Sequence, residues 1–387
     1  MTSIPLDYTT LRLIWWTLLG VLLIGFAIMD GYTLGTLALL PFVARKDEER
    51  RAVINTVSAT WEGNQVWFIV GGAAIFAAWP FVYGVSFSGF YLAMFLVLMA
   101  LILRPVGFKY RSKRSGPAWR RNWDYALFIG GLVPSLVFGV AIGNVLQGAP
   151  FSLDSDLRAT YHDTVLGGLL GLFTPFTLLC GLMSVAMLAL QGACWTSLKL
   201  EKGPLRDRAI TFGTWAGIAA IVLFLIGHLF IRFGGLGYHI NVAVPTNGPS
   251  NPTYAEVVHK AGGYLENYAT HPWMWIAPIL GIAGPLLAIL GLRFKADPWA
   301  FVASSLGVLG TIATVGLSMF PIILPSSIDA HSSLLVWTAS SSQLTLFIML
   351  CVTVVFLPIV LLYTTWVYKV LFGRVQVASL KTNPDLY

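Results

Sequence analysis

Long apolar segments dominate this 387-residue sequence and constrain its fold more than any other feature. They cover residues 12–42, 58–79, 84–103, 123–147, 168–195, 209–232, 272–292, 299–323 and 341–372. A helix needs about 20 apolar residues to cross a bilayer, and these segments are close to that length or longer. Only 11% of the residues are charged, against about 25% in soluble domains. The sequence therefore predicts an all-α polytopic membrane protein, with about nine spanning helices in a single transmembrane domain over residues 1–387.

A short repeated motif bears on how these helices are organised. The sequence LQGA ends the fourth segment at 146–149 and recurs near the end of the fifth at 190–193. This repeat favours two four-helix units plus one extra helix. Chance similarity between apolar segments is an equal alternative.

The basic residues predict how the chain is oriented. Most of the 24 Lys and Arg residues fall in loops 43–54, 104–122, 196–208 and 293–298 or at the C-terminal end. The exceptions are Arg12, Arg158, Arg232 and Lys260. Because positive residues are enriched in cytoplasmic loops, we expect the C-terminus in the cytoplasm and the N-terminus outside. The net charge of +7 then reflects topology, so nucleic-acid binding is not expected. The extracytoplasmic loop 233–271 is either an ordered cap or a flexible connector.

The second apolar segment begins with the polar motif WEGNQVW at 61–67. Glu62 and Gln65 share one helix face, as do Trp61 and Gln65, because they are three and four residues apart. An ionisable group so near lipid is unfavourable unless it faces protein or water. The motif is either a helix N-terminus, where an acid meets the positive end of the macrodipole, or a site that handles protons or quinone.

Other charged residues lie in or beside the apolar segments. Asp30 is in the middle of the first segment, and a carboxylate there marks a functional site or a buried acid that joins helices. Arg104 ends the third segment, where it can pair with an acid such as Asp124 or Glu62. The predicted topology places Glu62, Arg104 and Asp124 at one membrane level.

The histidines and cysteines argue against a metal centre in this chain. Of six histidines, only His228 falls within a predicted span, and bis-histidine haem ligation needs two that face each other. If redox chemistry is involved, we expect the metal-bearing cofactors to lie mainly in another subunit. The three cysteines lie in apolar segments without metal-binding spacing, so no metal site is expected.

In order along the chain, a series of motifs resembles cytochrome bd ubiquinol oxidase subunit II. They are RLIWW at 12–16, DG at 30–31, WEGNQVW at 61–67, FAAWP at 76–80, FSGFY at 87–91, RPVGF at 104–108, MFP at 319–321, PSS at 325–327 and SSQLTL at 341–346. The resemblance implies a bacterial inner-membrane terminal oxidase that oxidises quinol, reduces oxygen to water and generates a proton motive force. It also implies a partner, subunit I, that holds haem b558, haem b595 and haem d, and a small single-helix accessory subunit. Whether this chain binds a quinone or a lipid is left open.

The same resemblance suggests roles for single residues. Glu62 would mark the cytoplasmic entrance of a proton path toward the haem d region, and Trp67 would lie where oxygen enters from the membrane. Family members often carry Asp at position 62, so Glu62 keeps the acid with a longer reach. They often carry Asp at position 33 as well, and Thr33 puts a proton role for that position in doubt.

The candidate residues divide into groups by role. The proton path would comprise Glu62, Asp30, Asp124 and Arg104, with Trp61, Asn64 and Gln65 in support and Trp67 at the oxygen entrance. Two other functions compete with this interpretation. One is a proton-coupled transporter that uses Asp30 and Glu62, and the other is a scaffold that only supports subunit I.

Overall fold

The computed structural model describes residues 4–161 and 165–375, with the side chains of 165–167 excepted. The helices are α1 (Tyr8–Val43), α2 (Asp47–Asn55), α3 (Trp61–Ala78), α4 (Pro80–Gly89), α5 (Tyr91–Tyr110), α6 (Pro117–Gln147), α7 (Val165–Gly171), α8 (Pro175–Lys199), α9 (Pro204–Phe233), α10 (Glu266–Thr270), α11 (Ile276–Arg293), α12 (Asp297–Met319) and α13 (Gln343–Val370). The predicted all-α class is confirmed. His162 and the end of the C-terminal tail lie outside the described residues.

Three small antiparallel hairpins lie in the connections between helices. They are β1 (Phe151–Leu153) with β2 (Ala159–Tyr161), β3 (Tyr238–Ile240) with β4 (Val257–His259), and β5 (Ile322–Leu324) with β6 (Leu334–Leu335). Each strand has at most three residues, so the hairpins order loops and do not form a layer of their own.

Among the described residues, 8 helices are long and apolar enough to cross a membrane: α1, α5, α6, α8, α9, α11, α12 and α13. The remaining predicted span, 58–79, forms α3, whose first turns carry the polar side chains of the 61–67 motif. α3 runs antiparallel to α1. Asn64 bonds to Tyr32, and Trp67 lies against Gly25 nearer the start of α1. The antiparallel path of α3 beside α1, which is itself a spanning helix, supports α3 as the ninth span.

The predicted third span begins too early in the sequence. Residues 84–89 belong to α4, and the chain bends at Phe90 before α5 begins at Tyr91. A tertiary contact holds this bend, because the Tyr161 hydroxyl donates to the Val85 carbonyl at 2.6 Å and its ring fills the space beside Gly89. Tyr161 is far away in sequence, so a hydropathy pattern cannot reveal the break.

Two other predicted spans also change at their ends. The fifth starts at Pro175, where Thr174 caps α8 by accepting from the Thr177 amide at 3.2 Å. The eighth ends at Met319, so Pro321 follows α12 and does not kink it. A capping hydroxyl and a proline just beyond the last turn are typical helix boundaries.

The central packing of the fold is a close crossing of α1 and α8. A Cβ atom placed on Gly35 would overlap the carbonyl group of Leu188, and one on Gly192 would overlap the Gly35–Thr36 backbone. Small residues allow this approach, and dispersion contacts between backbones then stabilise the crossing. Gly35 is therefore a packing residue of this crossing. The predicted division into two four-helix units stays a prediction.

The loop 233–271 is an ordered cap. The Tyr238 hydroxyl donates to the Gln147 carbonyl at 2.7 Å, and the Tyr264 hydroxyl donates to the Leu146 carbonyl at 2.9 Å. Asn267 donates its side-chain amide to the Phe320 carbonyl at 2.6 Å. These bonds attach the cap to the ends of α6 and α12, so the flexible alternative is wrong.

Candidate functional site

Asp30 and Arg104 form a bidentate ion pair inside the helix bundle. Arg104 Nη1 lies 2.8 Å from Asp30 Oδ1, and Nη2 lies 3.0 Å from Oδ2. Both side chains are fully buried. Arg104 therefore pairs with an acid, as expected, but the acid is Asp30 and not Asp124 or Glu62. Two buried charges are tolerated here because each neutralises the other and both carboxylate oxygens accept hydrogen bonds.

The surroundings of this ion pair are tightly packed but not fully hydrogen-bonded. The aliphatic stem of Arg104 passes Gly130 of α6, where a Cβ atom would lie 3.0 Å from Arg104 Cγ. Arg104 Nε and Thr33 Oγ1 are buried and have no partner among the described residues. Buried polar atoms of this kind are often satisfied by internal water.

Asp124 belongs to a separate cluster of charges on the side of the predicted cytoplasmic loops. It accepts from Arg111 Nη2 at 3.2 Å and from Arg50 Nη1 at 2.9 Å. Arg111 also reaches Asp47 on α2 at 2.7 Å, and Arg120 lies 2.6 Å from the other Asp47 oxygen. Burial alone would raise the pKa of Asp47, but Arg111 and Arg120 outweigh burial and hold that pKa below its ordinary value. The cluster joins α2 to α6.

Asn64 is the buried member of the 61–67 motif and lies in a hydrogen-bonded ring. Its amide donates to the Tyr32 hydroxyl at 2.7 Å, and its oxygen accepts from the Tyr368 hydroxyl at 2.7 Å. The Tyr32 hydroxyl lies 2.7 Å from the hydroxyls of both Tyr368 and Thr60. The ring joins α1, α3 and α13. Sequence reasoning missed both tyrosines, although Tyr32 follows Asp30 by only two residues.

Glu62 lies on the face of α3 opposite to Asn64. It is exposed and makes no ion pair or hydrogen bond within the described residues. Gln65 shares this outer face with Glu62, as their three-residue spacing predicts. Its side chain is half-buried. Trp61 packs against Phe108, with ring centroids 5.5 Å apart. Glu62, Arg104 and Asp124 are therefore not in contact with one another.

Trp67 borders an apolar groove of about 470 Å³ that opens at the side of the helix bundle. Residues of α1, α3, α8, α12 and α13 line it. Tyr32 stacks on Trp195 in its wall, with ring centroids 4.1 Å apart. The walls are almost entirely apolar, so the groove suits a small apolar molecule or part of a lipid-like one.

His228, which lies in a predicted span, contacts the preceding turn of its own helix α9. Its Nδ1 lies 3.1 Å from the Phe224 carbonyl oxygen in the preceding turn, and its ring packs on Phe224. The part of the chain that the structure describes contains no group of three or more potential metal ligands. Bis-histidine haem ligation would need a second histidine facing His228, and no other histidine falls in a predicted span.

Comparison with known proteins gives consistent matches over almost the whole chain. The family model for cytochrome bd terminal oxidase subunit II matches residues 11–371. Cytochrome bd-I ubiquinol oxidase subunit 2 of Escherichia coli is 46% identical over 378 residues, which are 98% of each chain. Cytochrome bd ubiquinol oxidase subunit 2 of Bacillus subtilis is 28% identical over 94% of this chain and 96% of its own.

A solved structure shares the fold. A chain of the bd oxidase from Geobacillus thermodenitrificans aligns with a TM-score of 0.65 over 94% of this chain and 99% of its own. Because the sequence identity is 15%, this likeness concerns the fold alone.

Proposed function

The chain belongs to the cytochrome bd terminal oxidase subunit II family, and from this premise we propose its part in the complex. It is a subunit of a quinol oxidase, an oxidoreductase that oxidises quinol, reduces oxygen to water and generates a proton motive force. The observation that carries this conclusion is the 46% identity to a ubiquinol oxidase subunit over 98% of both chains. The chain is a multi-pass protein of the bacterial inner membrane.

The haem cofactors of the complex are proposed to lie in its partner, subunit I. In this assignment haem b558, haem b595 and haem d all belong to the partner. The surroundings of His228 support this, because no second histidine falls in a predicted span of this chain. A small single-helix accessory subunit completes the proposed assembly. Purification of the native complex, with haem analysis of each separated subunit, tests the assignment. Haem retained by this chain alone would contradict it.

The proposed orientation has the N-terminus outside and the C-terminus in the cytoplasm. Glu62 then lies at the cytoplasmic end of α3. Its exposed carboxylate has no partner within the described residues, so it is free to exchange protons with water or with a residue of subunit I. This is what the entrance of a proton path requires, because protons must cross a region of low dielectric through groups that titrate or hold water.

Beyond Glu62, the path is proposed to follow the polar groups of α1 and α3. The Asn64 ring lies two residues further along α3 and supplies hydroxyls that can both donate and accept. Deeper in α1, the Asp30–Arg104 pair leaves Arg104 Nε without a partner, and this atom can hold internal water.

In this scheme the Asp30–Arg104 ion pair fixes the positions of internal water molecules and sets the electrostatic field around the proton path. Both oxygens of Asp30 are occupied by Arg104, so Asp30 does not itself have to carry the proton. Asp124 is bound by Arg50 and Arg111, and its part in the path stays a prediction.

Replacing Glu62 with Gln tests the entrance directly. Glu62→Gln keeps the shape and removes the titratable proton, so turnover and proton uptake should fall severely at normal haem content. Glu62→Asp should be milder. The matched control is Glu201→Gln, which changes another exposed acid on the same side. Wild-type oxygen consumption in Glu62→Gln would favour the scaffold function, with a helix-dipole acid worth about 1 kcal/mol of stability or less. The stand-alone transporter is disfavoured by the family membership.

The groove beside Trp67 is the proposed oxygen entrance, and its apolar walls could also hold a quinone or a lipid. Oxygen dissolves in the membrane interior, so an apolar opening at the side of the bundle gives it direct access. Trp67→Leu should change the KM for oxygen while kcat at saturating oxygen stays close to wild type. Trp299→Leu, at a tryptophan that is 75% exposed, is the control. An unchanged KM would contradict the proposal.

A further inference from the structure

A second groove lies between α9 and α11, and none of the proposed proton-path residues lines it. Its volume is about 260 Å³. The lining residues are Ile210, Thr211, Thr214, Trp215 and Ile218 of α9 and Arg293 of α11. Unlike the groove beside Trp67, this one has a charged lining side chain, the guanidinium of Arg293.

Close packing of the two helices fixes the depth of this groove. Leu292 and Ile289 of α11 lie directly against Gly213 and Gly217 of α9. The two helices therefore run antiparallel, with Arg293 level with the second and third turns of α9. Arg293 is the last residue of α11, at the end that carries the basic loops. This places the guanidinium near the headgroup layer of the predicted cytoplasmic leaflet.

Arg293 has no counter-charge bound to it among the described residues. It is exposed and makes no ion pair or hydrogen bond within the described residues. Asp207, the acid one turn before Thr211, is not paired with it. The hydroxyls of Thr211 and Thr214 donate to carbonyls of their own helix at 2.9 Å, so the guanidinium is the main free donor in the groove. Planar guanidinium groups bind phosphate oxygens bidentately.

An apolar track leads from the groove toward the membrane interior. Trp215 is 66% exposed. The exposed apolar residues continue along the same helix at Ile218, Val222, Leu225 and Leu229. An arginine at the headgroup level, a tryptophan beside it and an apolar stripe beyond are the features that a membrane phospholipid contacts.

We propose that this groove is a binding site for an anionic phospholipid. Arg293 binds the phosphate, and the stripe that starts at Trp215 and Ile218 holds an acyl chain. The charge of the free guanidinium and the apolar track favour a lipid over free phosphate, because free phosphate would leave the track unused. The inference does not depend on the proposed proton path.

The test uses the purified complex of both subunits, stripped of lipid in detergent and titrated with phosphatidylglycerol under native mass spectrometry. Wild type should bind one lipid that Arg293→Gln binds about tenfold more weakly, equivalent to about 1.4 kcal/mol. Arg121→Gln is the control, because Arg121 is an exposed arginine at the same end of the bundle but outside the groove. Ile218→Trp fills the apolar end and should also weaken this lipid, which keeps the test decisive if Arg293→Gln does not assemble.

Two competitors separate the possible ligands. Diacylglycerol with the same acyl chains lacks the phosphate and should bind weakly, and inorganic phosphate should not displace the lipid. Wild-type lipid binding by Arg293→Gln and Ile218→Trp would overturn the proposal. Displacement by inorganic phosphate, or equal binding of diacylglycerol, would overturn it as well.

Discussion

Asp30 of α1 and Arg104 of α5 neutralise each other inside the helix bundle through two parallel hydrogen bonds of 2.8 and 3.0 Å. Because neither side chain reaches solvent, each charge depends on the other for its only ionic partner in the described residues. Removal of one partner leaves an uncompensated buried charge, whereas removal of both does not.

The first prediction concerns this pair. Asp30→Asn and Arg104→Gln should each lower the free energy of unfolding by about 3–5 kcal/mol. The double substitution should cost clearly less than the sum, since it leaves no lone charge. Thermal unfolding of the purified complex, followed by haem release, measures all three variants. Strictly additive losses would show that the two residues are not coupled.

The second prediction concerns the crossing of α1 and α8. Gly35→Val places side-chain atoms where the Leu188 carbonyl lies, so the complex should lose assembly or most of its stability. Gly20→Val is the matched control on the same helix, because nothing lies within 4 Å of the added Cβ. Expression yield and haem content of both variants should separate them. Similar yields would mean that α1 and α8 are not as close at Gly35 and Leu188 as the structure has them.

The third prediction concerns orientation. A cysteine at exposed Ser115, in the basic loop before α6, should resist a membrane-impermeant thiol reagent in intact cells. A cysteine at exposed Thr253, in the cap, should react. The native chain controls for Cys180, Cys194 and Cys351. The reverse labelling pattern would invert the topology.

The fourth prediction concerns the cap. Glu266 contacts Lys260 and accepts from His239 Nδ1 at 2.8 Å. Lys260 first and His239 second hold the pKa of Glu266 below its ordinary value of 4.5. A lowered folded-state pKa adds stability above pH 4.5 that is lost as the pH falls below that value.

Glu266→Gln should therefore reduce the melting temperature at pH 7, and the difference from wild type should shrink as the solution is acidified. The effect should stay below about 1 kcal/mol, because these side chains are partly exposed and screened by solvent. Asp156→Asn, at an exposed acid that forms no ion pair with any described residue, controls for general charge effects. A difference that does not change with pH would contradict this account.

Several features could be predicted from the sequence because they depend on local composition. Apolar segment length identified the membrane-spanning helices, and the motifs in their order identified the family. The common face of Glu62 and Gln65 on α3 was also predictable, since it follows from their three-residue spacing alone.

Other features depended on how distant helices meet. Arg104 pairs with Asp30, which is 74 residues away in sequence, and not with Asp124 or Glu62. Tyr368 joined Asn64 across 304 residues, and Tyr161 set the bend between α4 and α5. The sequence by itself determined which residues enter the membrane, because transfer into lipid depends on each segment's own composition. Only the tertiary structure decided which buried polar groups pair, because that depends on the rotation and depth of helices packed against each other.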